Sequence, residues 1–338
     1  MSIVLDEVTR AAARLAAAGV DSPRCDAEQI AAHVHDVQRR MLHTVPDAEF
    51  DARFWADVAR REAREPLQHI IGRAYFRYLE LEVGPGVFVP RPETEVMTGW
   101  AIDQLRAMDA VDPLVVDLGT GSGAIALAIA QEVPRARVHA VEADRLAHAW
   151  AQRNVERNLE LITRYANGAT AGHQARAAGP QAPRVALHLA DLATALPEFD
   201  EAVDLVISNP PYIPDGAGVP PEVGDYDPPA ALWGGPDGLD TIRRLERTAA
   251  RLLRPGGLVA VEHGSPQGAA VYWVFPESAG WCDRRNNRDL AGRDRFVTAR
   301  RATAEREFDL PDERPRDATD EPLHEHGNRA RTWQDGRL

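Results

Sequence analysis

The chain has 338 residues, with 39 Lys and Arg against 52 Asp and Glu, for a net charge of −13. That length points to two domains, and the acidic balance argues against a broad electrostatic grip on nucleic acid. A 44% hydrophobic fraction supports a sizeable core. No apolar run is long enough to span a bilayer, and Met1–Arg10 lacks a basic stretch followed by an apolar one, so a cytoplasmic protein is expected. Cys25 and Cys282 lie too far apart for metal spacing and read as free thiols.

The amino-terminal part, 1–65, reads as a small helical domain. Leu5, Val8, Ala12 and Leu15 recur at helical spacing before Gly19. Asp21-Ser22-Pro23 then leads into a helix over Ala27–Val37, and Asp51–Arg64 gives a third. These helices carry nothing catalytic; they either cap the fold or dock a partner protein. Residues 66–95 read as a β-hairpin linker, with arms Ile70–Phe76 and Leu79–Val83 broken by Gly84-Pro85-Gly86. Pro90 and Pro92 hold Arg91 extended, and Glu93 or Thr94 opens a helix over Val96–Met108.

The remaining part, 96–301, alternates strands and helices, which predicts a parallel, doubly wound α/β sheet. Leu114–Leu118 runs into Gly119-Thr120-Gly121-Ser122-Gly123, a glycine turn that opens the helix Ala124–Gln131. Such a turn lets backbone touch a ligand, and the helix start favours an anionic group. The spacing is not the dinucleotide Gly-x-Gly-x-x-Gly. Val138–Glu142 is a second strand ending in an acid about 20 residues on, where a ribose diol is held; Asp144 competes for that role. A helix follows over Leu146–Leu161, then an aperiodic interval, 164–184, read as a mobile surface insertion. A third strand, Val185–Asp191, also ends in an acid.

The fourth strand, Ala202–Ile207, stops at Ser208-Asn209-Pro210-Pro211-Tyr212, because two prolines cannot extend a sheet ladder. Strand ends of this kind bind ligands in open α/β sheets. The Asn209 side-chain oxygen, the Pro210 carbonyl and the Tyr212 ring can together hold a planar group bearing an NH2. Taken alone, the same stretch fits a plain strand end with a surface tyrosine. Pro214–Gly238 reads as a lid or rim, Leu239–Leu253 as a helix and Pro255-Gly256-Gly257 as a turn. Leu258–Glu262 is a fifth strand, Gln267–Val274 a helix and Phe296–Ala299 a last strand. Residues 302–338 are charged and poor in apolar side chains, so disorder is expected; His324 and His326 there could touch a metal, but an unstructured pair reads as bland.

With Pro90-Arg91-Pro92-Glu93-Thr94-Glu95, Asp117–Gly123 and Asn209-Pro210-Pro211-Tyr212 in order, the chain resembles the peptide chain release factor glutamine N5-methyltransferases (HemK/PrmC) over roughly 5–301. Trp233-Gly234-Gly235-Pro236-Asp237-Gly238-Leu239 strengthens the resemblance. Asp227-Pro228, where the family often has Glu-Pro, and the long 164–184 interval depart from it. The resemblance implies a Rossmann-like methyltransferase sheet and S-adenosylmethionine as cofactor, with no metal. It places Asp117, Gly119, Thr120, Gly121 and Gly123 against the methionine portion, Glu142 on the ribose and Asp191 near the adenine. Asn209, Pro210 and Tyr212 become the catalytic residues, Asn209 also lying against the cofactor, with Pro211, Arg91 and Glu93 also on the substrate side. The implied partner is a class I release factor, met by a cytoplasmic monomer that recognises no nucleic acid sequence. Two readings stay open beside it. An adenine N6-methyltransferase would share Asn209 but should bring a basic target-recognition region. A non-catalytic cofactor-binding scaffold would have no need of Asn209 and Tyr212.

Overall fold

The computed structural model describes residues 3–46, 52–169 and 185–303, with the side chains of 159–169 left aside. The expectations for most of the tail, for His324 and His326 and for the interval from 170 to 184 lie outside the described residues. At the amino terminus, α1 (Ile3–Ala17), α2 (Pro23–Val34) and α3 (Arg53–Glu62) enclose their own core. Val4, Val8, Ala11 and Leu15 of α1 bury one stripe against Ile30, Phe54 and Val58, as the helical spacing requires. Buried Asp26 binds Arg61 at 2.8 Å, tying α2 to α3.

A short α4 (Leu67–Ile71) leads into β1 (Arg73–Phe76) and β2 (Leu79–Glu82), an antiparallel pair. The first arm thus starts at Arg73. Ile70 and Ile71, expected in the strand, close a helical turn that ends at left-handed Gly72. The helix α5 (Pro92–Ala107) begins with Pro92 itself, whose fixed φ suits a first helical position.

Seven strands then form one sheet: β3 (Leu114–Leu118), β4 (Arg137–Glu142), β5 (Val185–Leu189), β6 (Val203–Ser208), β7 (Leu253–Glu262), β8 (Trp281–Arg288) and β9 (Asp294–Arg301). Their order is β5-β4-β3-β6-β7-β9-β8. The first five are parallel, while β9 runs antiparallel to both β7 and β8. The sheet is therefore mostly parallel. Between β3 and β4 lies α6 (Ala124–Glu132), buried on nearly all sides, hence its alanine-rich apolar sequence. The next helix, α7 (Arg145–Ala169), continues through the first residues of the expected insertion. Short α8 (Pro221–Gly224) and α9 (Pro229–Leu232) sit in the rim, and α10 (Asp240–Leu252) and α11 (Gly268–Val274) follow. One buried cluster joins α5 and α6 to the hairpin and one sheet face; a second joins α10, α11 and the rim to the other.

Two differences from the sequence reading stand out in the sheet. The segment Pro255-Gly256-Gly257 continues β7 as an irregular stretch, with a register shift opposite Val203/Leu205. And β8 was not foreseen. Its sequence, Trp-Cys-Asp-Arg-Arg-Asn-Asn-Arg, has one large buried residue and no apolar run. It is an edge strand, where charge discourages pairing with other chains.

Candidate active site

The chain builds β3, β4 and β5 outward in one direction, then returns to the other side of β3 to lay down β6. That reversal opens a crevice beyond the carboxyl ends of β3 and β6, where open α/β sheets bind ligands. Gly119–Ser122 lines one bank and Asn209–Tyr212 the other. The cleft holds about 1070 Å³ of space, counted out to its open mouth.

The first bank is made of backbone. Gly119 and Gly121 have φ of 74° and 58°, and a Cβ built on either would meet nothing within 4 Å. The turn is thus strained for any other residue yet open on its cleft side. Glu142, at the end of β4, accepts from Gly121 N at 2.8 Å through Oε2 and from Asp144 N at 2.9 Å through Oε1. Each oxygen keeps a lone pair for a ligand hydroxyl. Asp144 also lines the cleft, but its Oδ1 accepts from Leu146 N and Ala147 N and so caps α7. Asp117 stands behind the turn. Fully buried, it accepts from Thr120 Oγ1 at 2.6 Å and Ala126 N at 3.2 Å, and burial raises its pKa to about 7. Gly123, at φ 85°, starts α6 and lies off the cleft wall.

Not every expected residue reaches this bank. Asp191 is outside the cleft lining: its carboxylate accepts from Ala193 N and from Arg244 at 2.7 Å, on the surface. Those two contacts pull its pKa below the usual carboxylate range.

The second bank is made of side chains and close backbone contacts. Ser208 Oγ donates to Leu118 O at 2.6 Å, fixing the end of β6 beside β3. Asn209 Nδ2 donates to Thr94 Oγ1 at 3.1 Å, from a residue 115 positions earlier. Among the described residues no donor reaches Asn209 Oδ1 or the Pro210 carbonyl, so both acceptors stay free. Tyr212 is nearly buried; its hydroxyl lies 3.5 Å from Glu262 Oε1, and burial, then the Glu262 charge, raises its pKa. Pro211 completes this wall.

Rim and linker close the site. The Trp233–Gly238 segment lies directly on the Asn-Pro-Pro-Tyr backbone: Ile213 N donates to Leu232 O at 2.9 Å and Gly234 N to Ile213 O at 2.8 Å. A Cβ on Gly238 would overlap the Tyr212 carbonyl, and that glycine has φ 77°. Gln267 Nε2 donates to the same carbonyl at 2.8 Å. Arg91 lines the cleft and donates to buried Asp227 at 2.9 Å, stacked over Phe88. Burial outweighs Arg91 there and lifts the Asp227 carboxyl to about 6. Glu93 is half-buried in the first turn of α5 and does not line the cleft. The rim is also held to the amino-terminal helices, where Glu222 accepts from Arg64 at 2.6 Å and Arg61 at 3.1 Å.

Glu262, Gln267 and Asn154 have no role in the sequence reading, and Thr94 has only that of a helix start within the Pro90–Glu95 motif. Asn154, fully buried, donates to both Glu82 O and Ser122 O, joining the hairpin to the glycine turn. A strand ending in Glu262 was visible, but nothing local connects it to Asn209. Among the described residues there is no cluster of metal ligands and no helix long and apolar enough to cross a membrane.

An open sheet with a glycine turn at one strand end and Asn-Pro-Pro-Tyr at the next defines a methyltransferase, and the family described as methyltransferase small domain matches residues 85–178. The family described as PrmC N-terminal domain matches residues 8–72. The chain is 59% identical, over 89% of its length and 99% of the relative's, to a Streptomyces coelicolor protein named release factor glutamine methyltransferase. It is 48% identical, over 87% of its length and 96% of the relative's, to a Mycolicibacterium smegmatis protein of the same name. A third relative, from Streptomyces pristinaespiralis, is named 4-amino-L-phenylalanine/4-methylamino-L-phenylalanine methyltransferase, at 41% identity over 82% of this chain and 87% of that one. The chain belongs to the release factor glutamine methyltransferase family.

Proposed function

We propose that this protein transfers the methyl group of S-adenosylmethionine to the side-chain amide nitrogen of a glutamine in the Gly-Gly-Gln loop of class I release factors. The observation that carries the reading is the pair of unengaged acceptors, Asn209 Oδ1 and the Pro210 carbonyl, at the strand end facing the glycine turn. The residues present fit the cofactor. Glu142 retains lone pairs for a ribose diol, and the open side of Gly119 and Gly121 admits a ligand against backbone. When bound, S-adenosylmethionine supplies an electrophilic methyl group.

An amide nitrogen is a weak nucleophile because its lone pair is delocalised into the carbonyl. Accepting both of its N–H groups at Asn209 and Pro210 fixes the nitrogen's orientation. It also stabilises the positive charge that develops there as the new bond forms, an effect aimed at the transition state. Tyr212 and the buried rim behind it keep water from the amide plane. No tuned base is required, since nitrogen becomes strongly acidic once alkylated and sheds its proton. Flanking glycines let such a loop bring its backbone close to the walls. The amino-terminal helices would grip a second surface of the same factor.

The two acceptors would also hold another planar, conjugated NH2, and one relative is named for an aromatic amine. The test is therefore a panel of labelled-methyl incubations with whole release factor, isolated loop peptide, a Gln→Asn loop, 4-amino-phenylalanine and nucleic acid. Label in whole factor well above the peptide, with none in Gln→Asn, is the expected result. Label confined to nucleic acid or to the aromatic amine overturns it.

A further inference from the structure

The amino-terminal helices and the cleft are joined through one short part of the rim. Glu222, in α8, accepts both arms of the Arg64 guanidinium, Nε on Oε1 and Nη2 on Oε2, each at 2.6 Å. A two-point contact of this kind fixes direction as well as distance. Arg61 Nη1 lies 3.1 Å from the same Oε1, while Arg61 Nε donates to Asp26 of α2 at 2.8 Å. Arg64 Nη1 donates in turn to Ala18 O at 3.2 Å, in the loop after α1. The loop after α1, the helix α2 and the end of α3 therefore converge on one rim carboxylate. Four residues on, the Tyr226 hydroxyl donates to Ala63 O at 2.8 Å, beside Arg64.

Arg64 holds this place at a cost. It follows α3 in the left-handed region, at φ 67°, where a helix end usually has glycine. A glycine would close the helix without strain but would bring no guanidinium to Glu222. On the other side of Tyr226 the chain turns into the cleft. Asp227, with its side chain fully buried, accepts from Arg91 at 2.9 Å, and Arg91, Pro228, Ala230 and Ala231 line the cleft. Leu232 O then accepts from Ile213 N, directly after Asn-Pro-Pro-Tyr. One segment, 222–232, is thus fastened to the amino-terminal domain at its start and to the transfer site at its end.

We propose that Glu222 and Tyr226 are positioning residues that set the span between a protein-docking surface on the amino-terminal helices and the cleft. This rests on the functional reading above and deepens it: an acceptor protein held on the helices has its glutamine loop delivered to Asn209 at a fixed distance. A second contact raises the local concentration of the loop only where the joint between the two contacts is set to the right span. A slack joint would have to be ordered at each encounter, and that cost would be taken from the binding energy. A free loop peptide touches the cleft alone and gains nothing from the joint.

The experiment measures kcat and KM for methyl transfer to whole release factor and to its isolated loop peptide, with cofactor affinity by calorimetry and melting temperature alongside. The variants are Glu222→Gln, Tyr226→Phe and the two combined. In the double variant kcat/KM for whole factor should fall by roughly tenfold or more, chiefly through KM, while kcat/KM for the peptide and cofactor affinity stay within about twofold. Tyr226→Phe, which loses one neutral hydrogen bond, should show a smaller fall of about two- to tenfold on whole factor. Arg64→Lys, which keeps the charge and loses the two-point contact, should lie between the unmodified protein and the double variant. A preference for whole factor that survives in the double variant would overturn this proposal alone. An equal fall for factor and peptide would overturn it as well, because the effect would then lie in the cleft or in the stability of the fold. No label in release factor with the unmodified protein would overturn the functional reading and this proposal with it.

Discussion

The two banks line opposite sides of one cleft but are made in different ways. The glycine-turn bank is local: strand, turn, helix and the following strand end come from one stretch, 114–144, and its contacts are largely backbone, with Glu142 satisfied by Gly121 N and Asp144 N. The Asn209 bank is assembled from afar. Thr94 on α5, Glu262 on β7, Gln267 before α11 and Gly238 in the rim each hold one part of four consecutive residues. A backbone-made surface tolerates side-chain loss, whereas a surface held by four distant contacts fails as a unit. Cofactor binding and methyl transfer should therefore be separable by mutation.

The sharpest separation is Asn209→Ala. It removes one of the two acceptors aimed at the developing charge, so transfer should fall by roughly 10²–10³-fold, while calorimetry should find cofactor affinity nearly unchanged. Loss of cofactor binding with the fold intact would mean the two banks are not independent. Next comes Gly238→Ala. Its new Cβ would overlap the Tyr212 carbonyl at a positive φ. Overpacking of this kind costs about 1–3 kcal/mol, so a lower melting temperature and a slower transfer are expected, again with the cofactor bank intact. A variant with native melting temperature and rate would show that the rim is not seated on the Asn-Pro-Pro-Tyr backbone.

The same contrast explains what could be read from the sequence. A bank built within about thirty residues leaves its record in order: an apolar strand, glycines where φ is positive, an acid at the next strand end. The Asn-Pro-Pro-Tyr stretch was also visible, because prolines end a strand wherever they occur. What holds Asn209 in place left no local trace. Thr94 and Glu262 sit in segments that look like an ordinary helix start and an ordinary strand end, and only the tertiary fold brings Thr94 to Asn209 and Glu262 to Tyr212. Ile70 and Ile71 were misread for a related reason, as apolar residues in a short run fit either a strand or a helix. β8 was missed because an edge strand with one buried tryptophan has no periodic apolar pattern to detect.

On the cofactor bank, Glu142→Ala tests whether that side is as self-contained as it looks. Charge-assisted hydrogen bonds contribute roughly 1.5–3 kcal/mol, so cofactor affinity should fall by about ten- to a hundredfold, with transfer at saturating cofactor much less affected than in Asn209→Ala. Because the Glu142 oxygens also hold Gly121 N and Asp144 N, part of the loss would come from a loosened turn. Asp144 is the control, being already engaged in capping α7. If Asp144→Ala weakens cofactor binding and Glu142→Ala does not, the ribose has been assigned to the wrong acid.

The smallest effect expected is at Asp191. The resemblance puts this acid near the adenine, but its carboxylate is engaged by Ala193 N and Arg244 on the surface. To meet an adenine amino group it would have to give up Arg244, exchanging one hydrogen-bonded partner for another. Such an exchange nets only about 0.5–1.5 kcal/mol, and the exposed ion pair with Arg244 is itself worth no more than about 1 kcal/mol. Asp191→Asn should thus weaken cofactor binding by less than about tenfold, clearly less than Glu142→Ala. Arg244→Ala gives the complementary measurement. If Asp191 turns to the adenine on binding, releasing it from Arg244 leaves affinity unchanged or slightly tighter. A loss at Asp191 as large as that at Glu142 would show that this bank, too, depends on a side chain that must move, and the division between the two sides of the cleft would not hold.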